Sequence, residues 1–204
     1  MGFRSRPATV YSISTDSLSL VKHTLRLLNE CEACHEQCKN PKSSAQPTRL
    51  LKIDRGGKAK LTSTSRLNYS TRYTTLSYCW GTSTQSMAIQ FRNSSLQSLV
   101  DGCAIETLPS TIREAIHFTQ RIRVRYMWVD SLRIIQDSDV DKAREIEAMS
   151  DIYQGNYLTI CALAAESMNG GLYSQRNPLL YSSMPLRKTI DGETAVISSI
   201  ASGS

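Results

Sequence analysis

The stretch from Leu108 to Ser131, LPSTIREAIHFTQRIRVRYMWVDS, decides the fold class because its hydrophobic period changes partway along. Ile112, Ala115, Ile116, Thr119 and Ile122 recur at helical spacing and Pro109 suits a first helical position, so residues 109–124 are predicted to form an amphipathic helix. Tyr126-Met127-Trp128-Val129 is then a short apolar run of the kind found in a buried parallel strand, ending in the polar pair Asp130-Ser131. On the amino-terminal side, Tyr73 to Tyr78 reads as a strand closed by Cys79-Trp80-Gly81. On the carboxyl-terminal side, Asp137-Ser138-Asp139 offers N-cap chemistry for a second helix, roughly Val140 to Gln154, and Tyr157 to Ala162 reads as another strand. Strand, helix, strand, helix, strand implies right-handed crossovers and an α/β domain with a mainly parallel sheet flanked by helices. Ahead of it, Arg49–Ile53 and Ala59–Thr62 flank Asp54-Arg55-Gly56-Gly57, which predicts an N-terminal β-hairpin.

The chain of 204 residues suits one such domain with appended segments. Residues 1–47 read as a basic arm with a short helix over Ser17 to Cys38, residues 48–178 as the domain, and residues 179–204 as a tail; within the domain, Thr82 to Gly102 reads as a weakly structured insertion. The charge of +6 is uneven: residues 1–72 hold 13 Lys or Arg against 5 acids, residues 73–178 hold 9 against 11. Cations gathered in a leading arm, rather than on the folded part among aromatics, read as a solvated arm and argue against a nucleic-acid platform. No stretch approaches about 20 uninterrupted apolar residues and the N-terminus lacks an apolar leader, so no membrane partner is expected and the cytoplasm is the expected compartment.

One carboxylate stands on the wrong face. On a helical wheel with Glu145 at zero, Ile152 falls near −20°, Met149 near 40°, Ala148 near −60°, Tyr153 near 80° and Ile146 near 100°, while Arg144, Glu147 and Asp151 occupy the opposite arc. Glu145 therefore sits inside the apolar stripe of a helix that follows a strand, at the sheet edge where open α/β folds place ligand crevices. It is either a group facing a cleft or a partly buried Glu paired with Arg113, Arg133 or Lys142. A cleft carboxylate without a metal cluster suits chemistry at a sugar carbon, where it stabilises oxocarbenium-like charge or holds ribose hydroxyls. Asp141, one turn earlier, either assists there or favours the helix N-terminus through the dipole. Trp80, at a strand-to-loop edge, is either core or a border of the crevice, and Ser131 ends the strand beside it.

The blocks Leu76-Ser77-Tyr78-Cys79-Trp80-Gly81, Leu108 to Ile116, Trp128 to Asp137 and Met149 through Ile152-Tyr153 to Asn156 resemble, in residues, order and spacing, the fungal heterokaryon incompatibility (HET) domain. With Gly170-Gly171-Leu172-Tyr173 and Arg176 as a closing segment, the resemblance spans about residues 48–178. It implies a death effector in non-self recognition after fusion of incompatible cells, with copies of the same chain or other incompatibility proteins as partners. HET domains are also similar, remotely, to Toll/interleukin-1 receptor domains, which implies a flavodoxin-like sheet. Enzymatic members of that wider group cleave NAD with a Glu in a Trp-Cys-x-x-Glu segment, to which Asp141-Lys142-Ala143-Arg144-Glu145 is similar. The resemblance thus implies Glu145 as the catalytic carboxylate and NAD as a substrate, no cofactor being required, and Trp80, Ser131 and Asp141 are the candidate ligand contacts by their positions in the sequence. Arg133 and Lys142 stand where the family usually has Cys and Trp. That departure favours the competing reading of a non-enzymatic assembly module, or of a truncated, degenerate copy.

Other motifs carry less. Cys31, Cys34, His35 and Cys38 place four ligands within eight residues, which leaves little chain to wrap a tetrahedral ion, and no metal site is expected. Cys79, Cys103 and Cys161 read as small core or near-core residues. Ser77 and Ser131 lack a neighbouring histidine in an elbow motif, which argues against a nucleophilic hydrolase.

Overall fold

The computed structural model describes residues 14–39, 46–68, 70–81, 96–133, 143, 145–175, 184–190 and 193–199. Two compact units emerge: Met1–Leu20 with Ser174–Ser204, and Val21–Tyr173. The larger contains most of the helix α1 (Leu18–Cys34) and the short α2 (Glu36–Lys39), so the helix assigned to an arm shares a unit with the sheet.

The sheet is built from β1 (Arg49–Ile53), β2 (Lys58–Ser63), β3 (Thr74–Ser77), β4 (Cys103–Ala104), β5 (Tyr126–Trp128) and β6 (Leu158–Cys161), in the order β4-β2-β1-β5-β3-β6. β3 runs parallel to β5 and β6, but β1 pairs antiparallel with β2 and β5, and β2 with β4. The expected mainly parallel sheet is therefore a mixed one. Its antiparallel half is built on the expected β1–β2 hairpin, whose strands also pair antiparallel with β5 and β4; local periodicity marks a strand without fixing the direction of its neighbour. The hairpin turns where Asp54 Oδ1 accepts from the amides of Gly56 (2.9 Å) and Lys58 (2.8 Å), with Gly57 at φ +77°.

The insertion contains a helix, α3 (Leu96–Asp101); residues 82–95 lie outside the described residues. The amphipathic helix is α4 (Ser110–Arg121), followed after β5 by the short α5 (Asp130–Arg133). Of the second expected helix, residues 143 and 145–147 are helical and α6 covers Met149–Gln154. Helices cover both faces of the sheet. Tyr73 joins Leu50, Trp128 and Ile152 in a core against α6, while its neighbour Thr74 points the other way, its hydroxyl 2.9 Å from that of Thr119 on α4. In the smaller unit, β7 (Met184–Ile190) and β8 (Glu193–Ser199), within the stretch read as a tail, pair antiparallel. Among the described residues no helix is long and apolar enough to cross a membrane.

Candidate functional site

The carboxyl ends of β3 and β5 bring two of the quoted motifs together. The Tyr78 hydroxyl donates to Ser131 Oγ at 2.5 Å, and Trp80 Nε1 donates to Asp130 Oδ2 at 3.0 Å. Asp130 Oδ1 accepts from the amide of Ser131 at 2.7 Å, so this carboxylate opens α5 and also anchors the indole. Gly81, next to Trp80, has φ +81°, and a Cβ there would stand 2.7 Å from Ser167 Cβ. The segment can lie this close to residue 167 only because position 81 has no side chain.

Burial pushes the carboxyl group of Asp130 up to about 6, opposed in part by the hydrogen bonds from Ser131 N and Trp80 Nε1. Burial and then the Asp130 charge raise Tyr78, and the same two causes push Tyr153 up to about 12. The folded chain keeps the Asp130 proton up to about pH 6, whereas the unfolded chain releases it near 3.8. Between those values the folded state binds more protons, so Asp130's contribution to stability falls as pH rises and stays low above 6. A rise of about two units corresponds to about 3 kcal/mol. Asp130→Asn cannot ionise, so the stability of the parent relative to this variant should be about 2 kcal/mol greater at pH 4 than at pH 7, the rest of the effect lying below pH 4. Denaturant unfolding of both proteins across that range checks this, and a difference that does not change with pH would count against a buried, titrating Asp130.

Glu145 is 1% exposed. Its Oε1 accepts a hydrogen bond from Thr48 Oγ1, and its Oε2 has no hydrogen-bond partner among the described residues. Of the cations proposed to pair with it, Arg113 lies 3.7 Å from Glu106 instead. The Arg133 side chain and Lys142 lie outside the described residues, as does Asp141. β1 runs antiparallel to β5, so its start, just after Thr48, lies toward the carboxyl end of β5, and Glu145 is tied to that end of the sheet. Glu145 lies two helical turns before Ile152, whose side chain packs with Trp128. Trp80 and Ser131 thus converge through Asp130 and Tyr78, while Glu145 meets Thr48. Asp130 was visible as the polar end of an apolar strand, and Tyr78 stood in a quoted block; Thr48 carried no signal, because only strand register brings it here.

The hollows lined by described residues include two near the amino end of β5. One, of about 860 Å³, is bordered by Lys52, Asp54, Arg55, Gln120, Arg123 and Arg125; the other, of about 560 Å³, by residues including Arg72, Arg125 and Tyr157. Neither is lined by Glu145 or Asp130. Arg123, shared by both, has φ +64°.

The closing segment is held by α4. Glu114 Oε2 accepts from the amides of Leu172 (2.7 Å) and Tyr173 (3.1 Å), and Thr111 Oγ1 accepts from that of Gly171 (3.0 Å). His117 lies 3.7 Å from Glu106, on the helix surface. Cys79 and Cys161 are exposed and Cys103 is half-buried, which corrects the core assignment: the first lies just past the end of β3, and the second ends β6 at the margin of the sheet.

A family model described as Heterokaryon incompatibility protein (HET) matches residues 73–199. No curated protein and no solved structure matches the chain.

Proposed function

The chain belongs to the heterokaryon incompatibility protein (HET) family, and from that premise we propose that it is a death effector in fungal non-self recognition that cleaves NAD, with Glu145 as the essential carboxylate. The observation that carries this reading is the state of Glu145: 1% exposed, with one oxygen on Thr48 and the other without a partner among the described residues. An unpaired acceptor on a buried carboxylate costs about 1–3 kcal/mol or more, and a donor on a ligand would offset it. In the reaction, the bond between the ribose carbon and the nicotinamide nitrogen breaks and its electron pair leaves with nicotinamide. Water then adds to the ribose carbon and loses a proton. Glu145 would stabilise the positive charge that develops on the ribose, or hold its hydroxyls. Trp80 and Ser131 would flank the ligand from the adjoining strand ends, and Asp141, four residues before Glu145 in the sequence, would assist.

A second reading, a non-enzymatic module that acts by assembly, draws on the same residue. With almost no exposure and a bond to Thr48, Glu145 then ties the start of β1 to its helix. The test is incubation of the purified chain with NAD, both dispersed and artificially clustered, while nicotinamide release is followed. Turnover that falls about 10²–10³-fold in Glu145→Gln, with unchanged circular dichroism, supports cleavage. No turnover in either state of the parent protein leaves the assembly reading.

A further inference from the structure

We propose that Cys31, His35 and Cys38 form a three-ligand site for a zinc-class transition-metal ion. α1 ends at Cys34, His35 interrupts the helix, and α2 begins at Glu36. The break is local: the amide of His35 still bonds to the carbonyl of Cys31 at 3.0 Å, and that of Cys38 to the carbonyl of His35 at 3.1 Å. Residues i, i+4 and i+7 share one face of a helix, and the local break at His35 leaves these three together. The three ligand atoms all lie within 4.8 Å of one another, with His35 Nδ1 3.3 Å from Cys31 Sγ and 3.9 Å from Cys38 Sγ, and the two sulfurs 2.8 Å apart. Cys34 is exposed and stands outside this group. The density of ligands along the chain, which argued against a site, concerned a set of four; the structure groups three of them and leaves Cys34 out.

Two thiols and an imidazole are a soft donor set that favours zinc and similar ions over calcium or magnesium. With metal–sulfur bonds of about 2.3 Å and metal–nitrogen bonds of about 2.0 Å, tetrahedral ligands stand roughly 3.5–3.8 Å apart. The two nitrogen–sulfur separations bracket that value, and the sulfurs need to part by about 1 Å. α2 has four residues, and both Cys38 and His35 are exposed, so little packing resists this movement. Glu32 does not complete the set, because it pairs with Arg72 at 2.5 Å. Cys38 also borders a hollow of about 420 Å³ that includes Ser70, Thr71 and Asn156, which leaves room for water or an added ligand in the fourth position.

The full chain, purified in a non-thiol reductant, is titrated with Co²⁺ and then with Zn²⁺. The expected result is one equivalent of cobalt showing thiolate-to-metal charge transfer and the intense visible bands of tetrahedral geometry, bleached when zinc displaces it. Cys38→Ser and His35→Ala should each weaken binding at least tenfold, whereas Cys34→Ser leaves it unchanged. Circular dichroism confirms that each variant is folded. The proposal is overturned if no thiolate band appears, if Cys34→Ser weakens binding as much as Cys38→Ser, or if the reduced chain takes up no metal and mass analysis of untreated protein shows Cys31 and Cys38 joined as a disulfide. NAD turnover is a separate measurement, so neither result depends on the other.

Discussion

Trp128→Ala is expected to lower the unfolding free energy by about 3–5 kcal/mol, the usual cost of emptying an aromatic site in a packed core. Trp128 is fully buried, with Leu50, Tyr73 and Ile152 around it, and its ring meets that of Tyr153 edge-on at 5.5 Å and 74°. It joins β5 to α6, so its removal leaves a hole between the sheet and that helix that neither can close by a side-chain rotation. In a chain of this size the loss corresponds to a fall in Tm of roughly 10 °C. Trp128→Phe should cost less, because it keeps a ring and removes an indole N–H that has no partner among the described residues. Thermal and urea unfolding of both variants measure this, and a loss below about 1 kcal/mol for alanine would mean that the site collapses freely or is not packed as described.

Gly81→Val should be comparably severe, for a different reason. The backbone at φ +81° is strained for any L side chain, worst for a β-branched one, and costs about 1–3 kcal/mol. The new Cβ would also stand 2.7 Å from Ser167 Cβ and 3.3 Å from its Cα, an overlap with main chain that adds about 1–3 kcal/mol. The damage reaches the site, since moving residue 81 moves Trp80 away from Asp130. Gly56→Ala is the control: its φ is not positive, and its Cβ would lie 3.5 Å from Asp54 Oδ1 in ordinary contact, so a change within about 0.5 kcal/mol is expected. Equal effects at the two positions would argue against the close approach at 81.

Local patterns predicted these elements well where one face of the element is buried. Residues 109–124 read as a helix because Ile112, Ala115, Ile116 and Thr119 form its buried side, and the helix runs from Ser110 to Arg121. The strands at 74–77, 126–128 and 158–161 fall inside the runs assigned to them, and the hairpin turns on Asp54 as its glycines suggest. What failed depends on pairing. Nothing in Arg49–Ile53 says that it runs antiparallel to a strand more than seventy residues later, so neither the mixed sheet nor the meeting of Thr48 with Glu145 was legible. The wheel placed Glu145 with Ile152, and both side chains are buried. Arg113, a partner proposed for it, is engaged elsewhere, which is a matter of how α4 lies beside Glu106 and not of helical period. Cys31, His35 and Cys38 were set aside because four ligands within eight residues leave little chain to wrap an ion, whereas the structure brings three of them together at helical spacing and leaves Cys34 out.

The grip of Glu114 on the amides of Leu172 and Tyr173 has a consequence for how this segment tolerates change. Every residue except proline supplies the same main-chain N–H, so positions 172 and 173 can exchange side chains without releasing it, whereas position 114 must keep an acceptor of the right reach. The latch constrains one letter of the chain and leaves two free to drift.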